Sequence, residues 1–295
     1  SSGNADLPAG GSLAAAERMA ERFVSLGGEL RTKSEVAKIL TSGREAFGVR
    51  LSDGEEIPAD AVILAADPAA LFGKVLDAPL PPARLSLYKN PAMHRFSSVG
   101  CAFAVPRAAL PFSGDLVLQI GRRGESHEVG DGRLVLREFS HEPSFAPEGE
   151  PVITTMRFCY EDGCRHFLEL SKNTDAYRKE KERLLAETEG DIVDRFPTLS
   201  GKLRPLDIWT PATYRRFTGA PLGTYMSFVL PPARLPRVPA RVPGFRNLYL
   251  ATQWQSPPGG LPTALHLGRR AAELACRAYA APGKQRTPRK KASVM

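Results

Sequence analysis

The chain has 295 residues, a formal net charge of +8 and four cysteines. That length supports one large or two smaller domains with a substantial core, and four cysteines are too few for a disulfide scaffold. No apolar run reaches the length of a membrane span.

In chain order, residues 11–27 place Leu13, Ala16, Ala20, Phe23 and Leu26 near helical spacing, which predicts an amphipathic helix closed by Gly27-Gly28. Short strands are expected at 29–32, 36–40 and 46–51, with a turn at Ser52-Asp53-Gly54-Glu55 before Glu56-Ile57. The continuous apolar run Asp60–Ala66 reads as a strand covered on both faces. Asp67-Pro68 is suited to cap a following short helix.

From about Pro79 to Pro243 the texture becomes extended. Strands are expected at 98–105, 116–120, 133–140, 152–159 and 203–209, with Gly and Pro clusters between them. One helix, 175–196, interrupts them with Asp175 as N-cap. Pro231–Pro243 is too proline-dense for regular structure. The chain then returns to a strand at Asn247–Leu250, a polar loop, the turn Gly259-Gly260-Leu261-Pro262, and a helix to about Tyr279. A glycine turn feeding a helix start leaves main-chain N–H groups free at the positive end of the helix dipole. This suits phosphates or the edge of a flavin ring.

Cys101, Cys159 and Cys276 sit in apolar runs and are expected in the core, in a reducing, cytoplasmic setting. Cys159–His166 offers three potential zinc ligands but no fourth at a usual spacing. Its Glu161-Asp162-Gly163 reads as a turn between two strands. The histidines His94, His127, His141, His166 and His266 are scattered and read as surface or satisfied polar residues, with His266 nearest the glycine turn. Lys284, Arg286, Arg289, Lys290 and Lys291 form a basic tail, expected to be disordered and solvated. It leaves room for peripheral membrane contact. Nucleic-acid binding is set aside because no such motif occurs and no aromatics interleave with the basic residues.

Three separated segments resemble the phytoene desaturase, carotenoid isomerase and retinol saturase group of FAD-dependent oxidoreductases, within the amine-oxidase-like flavoproteins. The first runs from Pro8-Ala9-Gly10-Gly11-Ser12 through Val36-Ala37-Lys38-Ile39 to Ala59–Ile63. The second is Thr210–Gly219 with Gly223-Thr224-Tyr225. The third is Asn247–Ala264. The resemblance implies an α/β fold (α+β as truncated): part of an FAD/NAD(P)-binding Rossmann-like domain with an inserted antiparallel-sheet substrate domain. Residues 1–75 and 244–281 would belong to the FAD side, 76–243 to the substrate domain and 282–295 to the tail.

It also implies FAD as cofactor and an apolar, polyene-like substrate. Val36 matches the position that meets the adenine. Gly259, Gly260, Leu261 and Pro262 match the turn facing the flavin, with Thr252 and Gln253 in the preceding loop. Thr252 stands where the family often has Gly. Gln253 and Trp254 replace acidic or small residues. Tyr214, Arg216, Tyr225 and Trp254 are candidate pocket walls. The competing reading makes the 214–226 region a strand pair with its arginines in water, and Trp254 a packed core residue.

No Gly-x-Gly-x-x-Gly occurs between a strand and a helix, so the turn that would hold the FAD pyrophosphate is not in this sequence. The chain therefore reads as a C-terminal portion or a split subunit, with weak or no FAD binding alone. Its partner would be the missing N-terminal part or a separate chain. A non-catalytic module and an amine oxidase acting on a polar substrate stay open beside the desaturase-like reading.

Overall fold

The structure, a computed structural model, describes residues 8–68, 75–76, 95–120, 129–139, 142–227, 239–280 and 293–294. Helix α1 (Gly11–Ser25) leads through β1 (Glu29–Leu30) to β2 (Val36–Ser42), β3 (Glu45–Leu51), β4 (Glu56–Pro58) and β5 (Val62–Leu64). Next come β6 (Phe96–Ala104), β7 (Asp115–Gln119), β8 (Arg133–Glu138), β9 (Val152–Tyr160), α2 (Glu161–Leu170), α3 (Thr174–Arg195), β10 (Arg204–Trp209) and α4 (Pro211–Thr218). The chain finishes with β11 (Leu248–Leu250), α5 (Leu261–Ala280) and β12 (Ser293–Val294). The helix expected after Asp67-Pro68, the connector from Pro231 to Arg237 and most of the basic tail lie outside the described residues.

Two compact units result. One combines Ser1–Met19 with Arg95–Tyr225, the other Ala20–His94 with Met226–Met295.

In the first unit an antiparallel sheet runs in the order β10-β6-β9-β8-β7. Alternation along β9 decides its two faces. Ile153, Thr155, Arg157 and Cys159 are buried, while Thr154, Met156 and Phe158 are half-buried. The buried side packs Val99, Cys101, Phe103, Leu134 and Leu136 with Phe167 of α2 and Leu184 and Ile192 of α3. Arg157 is only 3% exposed there, held by Glu187 at 2.8 Å and by Asp191. A buried cation of this kind is tolerable because two carboxylates from one helix face meet it.

Several local expectations shift. The N-cap of α3 is Asn173, whose Oδ1 accepts the Ala176 N–H at 3.1 Å, two residues before the Asp175 expected to do so. Glu161-Asp162-Gly163 opens α2 directly after β9 instead of turning between two strands. Two acidic residues in a first turn favour a helix start through the dipole. Thr210–Gly219 is likewise helical. Thr210 and Thr213 form a capping box, Pro211 takes the first turn and Gly219 closes in the left-handed region. Cys276 is exposed, whereas Cys164 joins Cys101 and Cys159 in burial.

The second unit joins chain segments about 200 residues apart. β2, β3 and β4 form an antiparallel meander, and β5 pairs in parallel with β11 (Leu248↔Val62, Leu250↔Leu64). Asn247 ties these pieces together. Its Oδ1 accepts the Ala46 N–H at 2.8 Å, and its Nδ2 donates to the carbonyls of Ala46 (2.6 Å) and Asp60 (2.7 Å). The core above is Ile39, Ala46, Val49, Val62, Leu248 and Leu250.

The expected double coverage of the 60–66 strand is not met among the described residues: Val62 is buried but Ile63 is 42% exposed. The helix at 11–25 forms as expected, yet Leu13 is 70% exposed. In the second unit Leu26 and the first-turn residues Leu261 and Leu265 of α5 are also more than half exposed. The apolar stripe that drives such helices to form normally ends up covered.

Asn247→Asp removes both amide donors and aims a carboxylate at two carbonyl oxygens. It should lower stability by about 3 kcal/mol, and by more than Asn247→Ala does. Urea unfolding of the two variants beside the parent checks this, and an unchanged midpoint for the Asp variant would refute the stitching role.

Candidate cofactor turn and aromatic sheet face

The candidate cofactor turn belongs to the second unit. β11 is fully covered, and the chain leaves it into a short 3₁₀ turn, Gln253–Gln255. Thr252 and Gln255 cap that turn reciprocally: the Thr252 side chain accepts the Trp254 N–H, and Gln255 Oε1 accepts the Thr252 N–H at 3.0 Å. Thr252, Trp254 and Gln255 are all buried. The threonine hydroxyl is therefore committed to the turn, and Trp254 is buried.

Gln253 reaches forward instead. Its Oε1 accepts the Gly260 N–H at 3.0 Å, capping α5. This bond dictates the glycines that follow. Gly259 and Gly260 have φ of +95° and +104°, and a Cβ on Gly259 would lie 2.5 Å from that same Oε1. A Cβ on Gly260 would meet nothing closer than Pro262 Cδ at 4.0 Å, so a ligand could approach the main chain there.

Beyond the cap, the N–H groups of Leu261 and Thr263 have no partner among the described residues, and Pro262 has none to offer. Ser227 adds a further polar group beside the turn. Its N–H donates to Pro258 O at 3.0 Å, and its hydroxyl is buried without a partner. Unspent donors at a helix start, a glycine position open to close approach and an orphan buried hydroxyl fit the edge of an electron-rich ring better than a metal. No cluster of metal-ligating side chains occurs among the described residues. Val36 lies elsewhere in this unit, half-buried at the start of β2 and in register with Leu51. His266 lies exposed on α5.

The aromatic face belongs to the first unit. Tyr214 on α4 stacks on Tyr225, with ring centroids 5.3 Å apart and planes at 29°. Phe96 packs edge-on against both Tyr225 (5.7 Å) and Phe158 (5.6 Å). The Tyr214 hydroxyl lies 3.1 Å from Ser98 Oγ, and the Tyr225 hydroxyl donates to Met156 Sδ at 3.3 Å. Trp209 lies against Gly100, where any Cβ would fall 2.4 Å from its ring. Burial pushes the Tyr225 phenol up to about 12, with the neighbouring Tyr214 adding to the shift, and burial also raises Tyr214. Both phenols therefore stay neutral at physiological pH.

Arg216 is not part of this set. It sits two residues from Tyr214, about 200° around the helix, and lies over the exposed ring of Phe217 at 4.8 Å. Phe96, Ser98, Met156 and Phe158 escaped the sequence reading. The alternation along β9 contained the signal, but nothing in the sequence said which parity faces the helices.

A family model described as flavin-containing amine oxidoreductase matches residues 2–276. Prolycopene isomerase 2 of an Oncidium hybrid cultivar is 30% identical over 239 residues, 76% of this chain and 38% of that protein. The neurosporene-forming phytoene desaturase of Rhodobacter capsulatus is 41% identical over 68 residues, 23% of this chain and 13% of that protein. Among solved structures, an oxidoreductase from Methanosarcina mazei aligns with a TM-score of 0.56 at 17% identity, covering 90% of this chain and 55% of its own. The chain thus spans well under half the length of these curated relatives.

Gly259→Ala should cost about 2 kcal/mol, because it meets both the positive φ and Gln253. Gly260→Ala meets only the φ and should cost about 1 kcal/mol. Thermal melts of the two variants test this order. The raised Tyr225 pKa means that the folded state holds the phenolic proton more tightly than the unfolded chain. Its contribution to stability is full below about pH 10 and is lost as pH climbs through about 12. Tyr225→Phe should flatten the alkaline end of the stability curve, and an unaltered alkaline slope would count against the assignment.

Proposed function

Because the chain belongs to the flavin-containing amine oxidoreductase family, whose cofactor is FAD, we propose that it forms the flavin-ring side of an oxidoreductase acting on carbon–carbon bonds of a polyene or similarly apolar substrate. The start of α5 carries the reading. Its unspent Leu261 and Thr263 N–H groups and the open Gly260 main chain suit the electron-rich edge of a flavin. When bound, FAD supplies a hydride acceptor or donor.

The chain's own residues do the rest. Gln253 holds the glycine turn in shape through its bond to Gly260. The exposed Leu261, Pro262 and Leu265 would keep water from the ring edge once covered. Val36 would meet the adenine side. Tyr214, Tyr225, Phe96, Phe158 and Met156 offer an apolar, uncharged face for the substrate. A conjugated hydrocarbon suits that face better than an ammonium, since the stacked tyrosines lie against each other with no slot between them. The identity to a prolycopene isomerase and, over a shorter stretch, to a phytoene desaturase supports the same substrate class.

A second reading has its own observation. Ile63 on the parallel pair and the first turn of α5 are exposed, and parallel strands are normally covered on both faces. This favours a chain that completes its flavin site only with a further dinucleotide-binding segment, in the same polypeptide or in a partner.

Purified alone, the 295-residue chain should carry FAD far below stoichiometry. Co-expression with the N-terminal dinucleotide-binding region of a prolycopene isomerase should bring up the flavin absorbance band. The loaded complex should then shift the spectrum of a cis-polyene and release no peroxide with an alkylamine. A stoichiometric flavin band on the chain alone would sink the divided-site reading. Peroxide with the amine would transfer the chain to the amine-oxidising branch.

A further inference from the structure

Strand register builds an apolar row on the face of the first unit's sheet that turns away from α2 and α3. Leu134 and Leu136 of β8 and Leu116 and Leu118 of β7 pack with the helix-side core. Val135 and Val117 lie between them and so turn to the opposite face. Val117 stands opposite Val135, and Val135 opposite Met156. The pairs Val99↔Arg157 and Ala102↔Thr154 bracket Gly100 and Met156 and set these two opposite each other. Gly100 in turn faces Trp209. The result is one line across all five strands, Trp209-Gly100-Met156-Val135-Val117. It spans about 19 Å at about 4.8 Å per strand gap.

The two ends of the row differ. The Trp209 ring lies over Gly100, where a Cβ would come within 2.4 Å of it. The Tyr225 hydroxyl donates to Met156 Sδ, so this end merges with the aromatic face. Val135 is half-buried and Val117 is 63% exposed, so the row opens toward the edge strand β7.

The flanks of the row are polar, and their charges are already paired. Residues on the same face stand about 7 Å to either side along each strand. On one flank Arg137 grips Asp115 through two bonds of 2.8 and 2.7 Å. On the other, Arg133 pairs with Asp131 and lies over the Phe158 ring at 5.7 Å. A charged ligand on the row would lose hydration and find these charges spent. A folded protein partner covers about 800 Å² on each side, far more than a line one side chain wide supplies. A thin, uncharged, chain-shaped molecule needs no more than this strip.

We propose that a linear conjugated chain lies along this row, across the strands and not parallel to them. It enters over Val117 and ends against Trp209, and Val117 and Val135 are specificity-determining residues for it. The inference rests on the apolar-substrate reading above and adds an axis and an entrance to it. Each strand crossed adds apolar contact, so affinity grows with the length of chain that fits the row.

The test uses the full chain carrying Trp254→Phe, which leaves Trp209 as its one tryptophan. The probe is the methyl ester of cis-parinaric acid, a linear conjugated tetraene that takes up energy from indole emission. It should quench Trp209 fluorescence saturably. Val117→Asp and Val135→Asp should each weaken binding about tenfold, the worth of burying one valine side chain. Val117 is exposed, so that variant should keep the parent's circular dichroism. Thr154→Asp sits one step off the row along β9, opposite Arg137, and should leave binding unchanged, because only a chain running parallel to β9 would cross it. Absence of saturable quenching overturns the proposal. So does full affinity in a natively folded Val117→Asp chain, or a loss in Thr154→Asp equal to that in Val117→Asp. No flavin enters this assay, so a failure here leaves the flavin-ring reading standing, and a failure to bind FAD leaves the row standing.

Discussion

The second unit depends on one side-chain amide. Asn247 stands at the head of β11 and binds main-chain groups of Ala46 and Asp60, which enter the sheet region from the other end of the chain. It joins two segments about 200 residues apart whose strand pairing, β5 with β11, is three residues long. Arg44 and Arg246 reinforce the same seam: Arg44 Nε donates to Gly244 O at 3.0 Å, and Arg246 N donates to Arg44 O at 2.9 Å. Everything downstream inherits its position from that seam. β11 delivers Thr252, Thr252 and Gln255 shape the 3₁₀ turn, and the turn places Gln253 to cap α5. The glycine turn is thus the last link of a hydrogen-bonded relay, and Gly259 is where the relay leaves no room for a side chain.

Much of this was legible in the residues. The extended stretches set off by Gly and Pro clusters match β6, β7, β8, β9 and β10 to within a few residues. The strand–turn–helix at 247–280 was visible because punctuation by Gly259-Gly260 and Pro262 is local. Capping was less legible. Thr210-Pro211 is a strong helix start, yet the two arginines and two aromatics behind it read equally well as strand. Asn173 caps the helix instead of Asp175 because the helix already begins at Thr174, three residues ahead of Tyr177. Asn247 reaching back across the chain to Ala46 and Asp60 makes long-range bonds that no window of sequence contains.

The exposed faces express the same limit differently. Leu13 on α1 follows the helical period, which records that a stripe is to be buried but not by what. The pattern was read correctly, and the helices form. A parallel pair with Ile63 open makes the same demand, since parallel strands are stable chiefly when layered on both sides. Composition and periodicity thus specify more burial than is found among the described residues.

Charge distribution in the first unit bears on the substrate. The sheet places its ionic network on the helical side, where Arg157 meets Glu187 and Asp191 under α3. The other side gathers two neutral phenols, two phenylalanines and a thioether, with Tyr225 kept protonated by burial. A cationic substrate approaching that side would lose hydration and find no carboxylate in the aromatic cluster to replace it. A long conjugated hydrocarbon loses nothing of the kind, and it gains contact area from each ring it crosses. The same sheet that stabilises the unit by pairing charges on one face thereby leaves the other face suited to a substrate that has none.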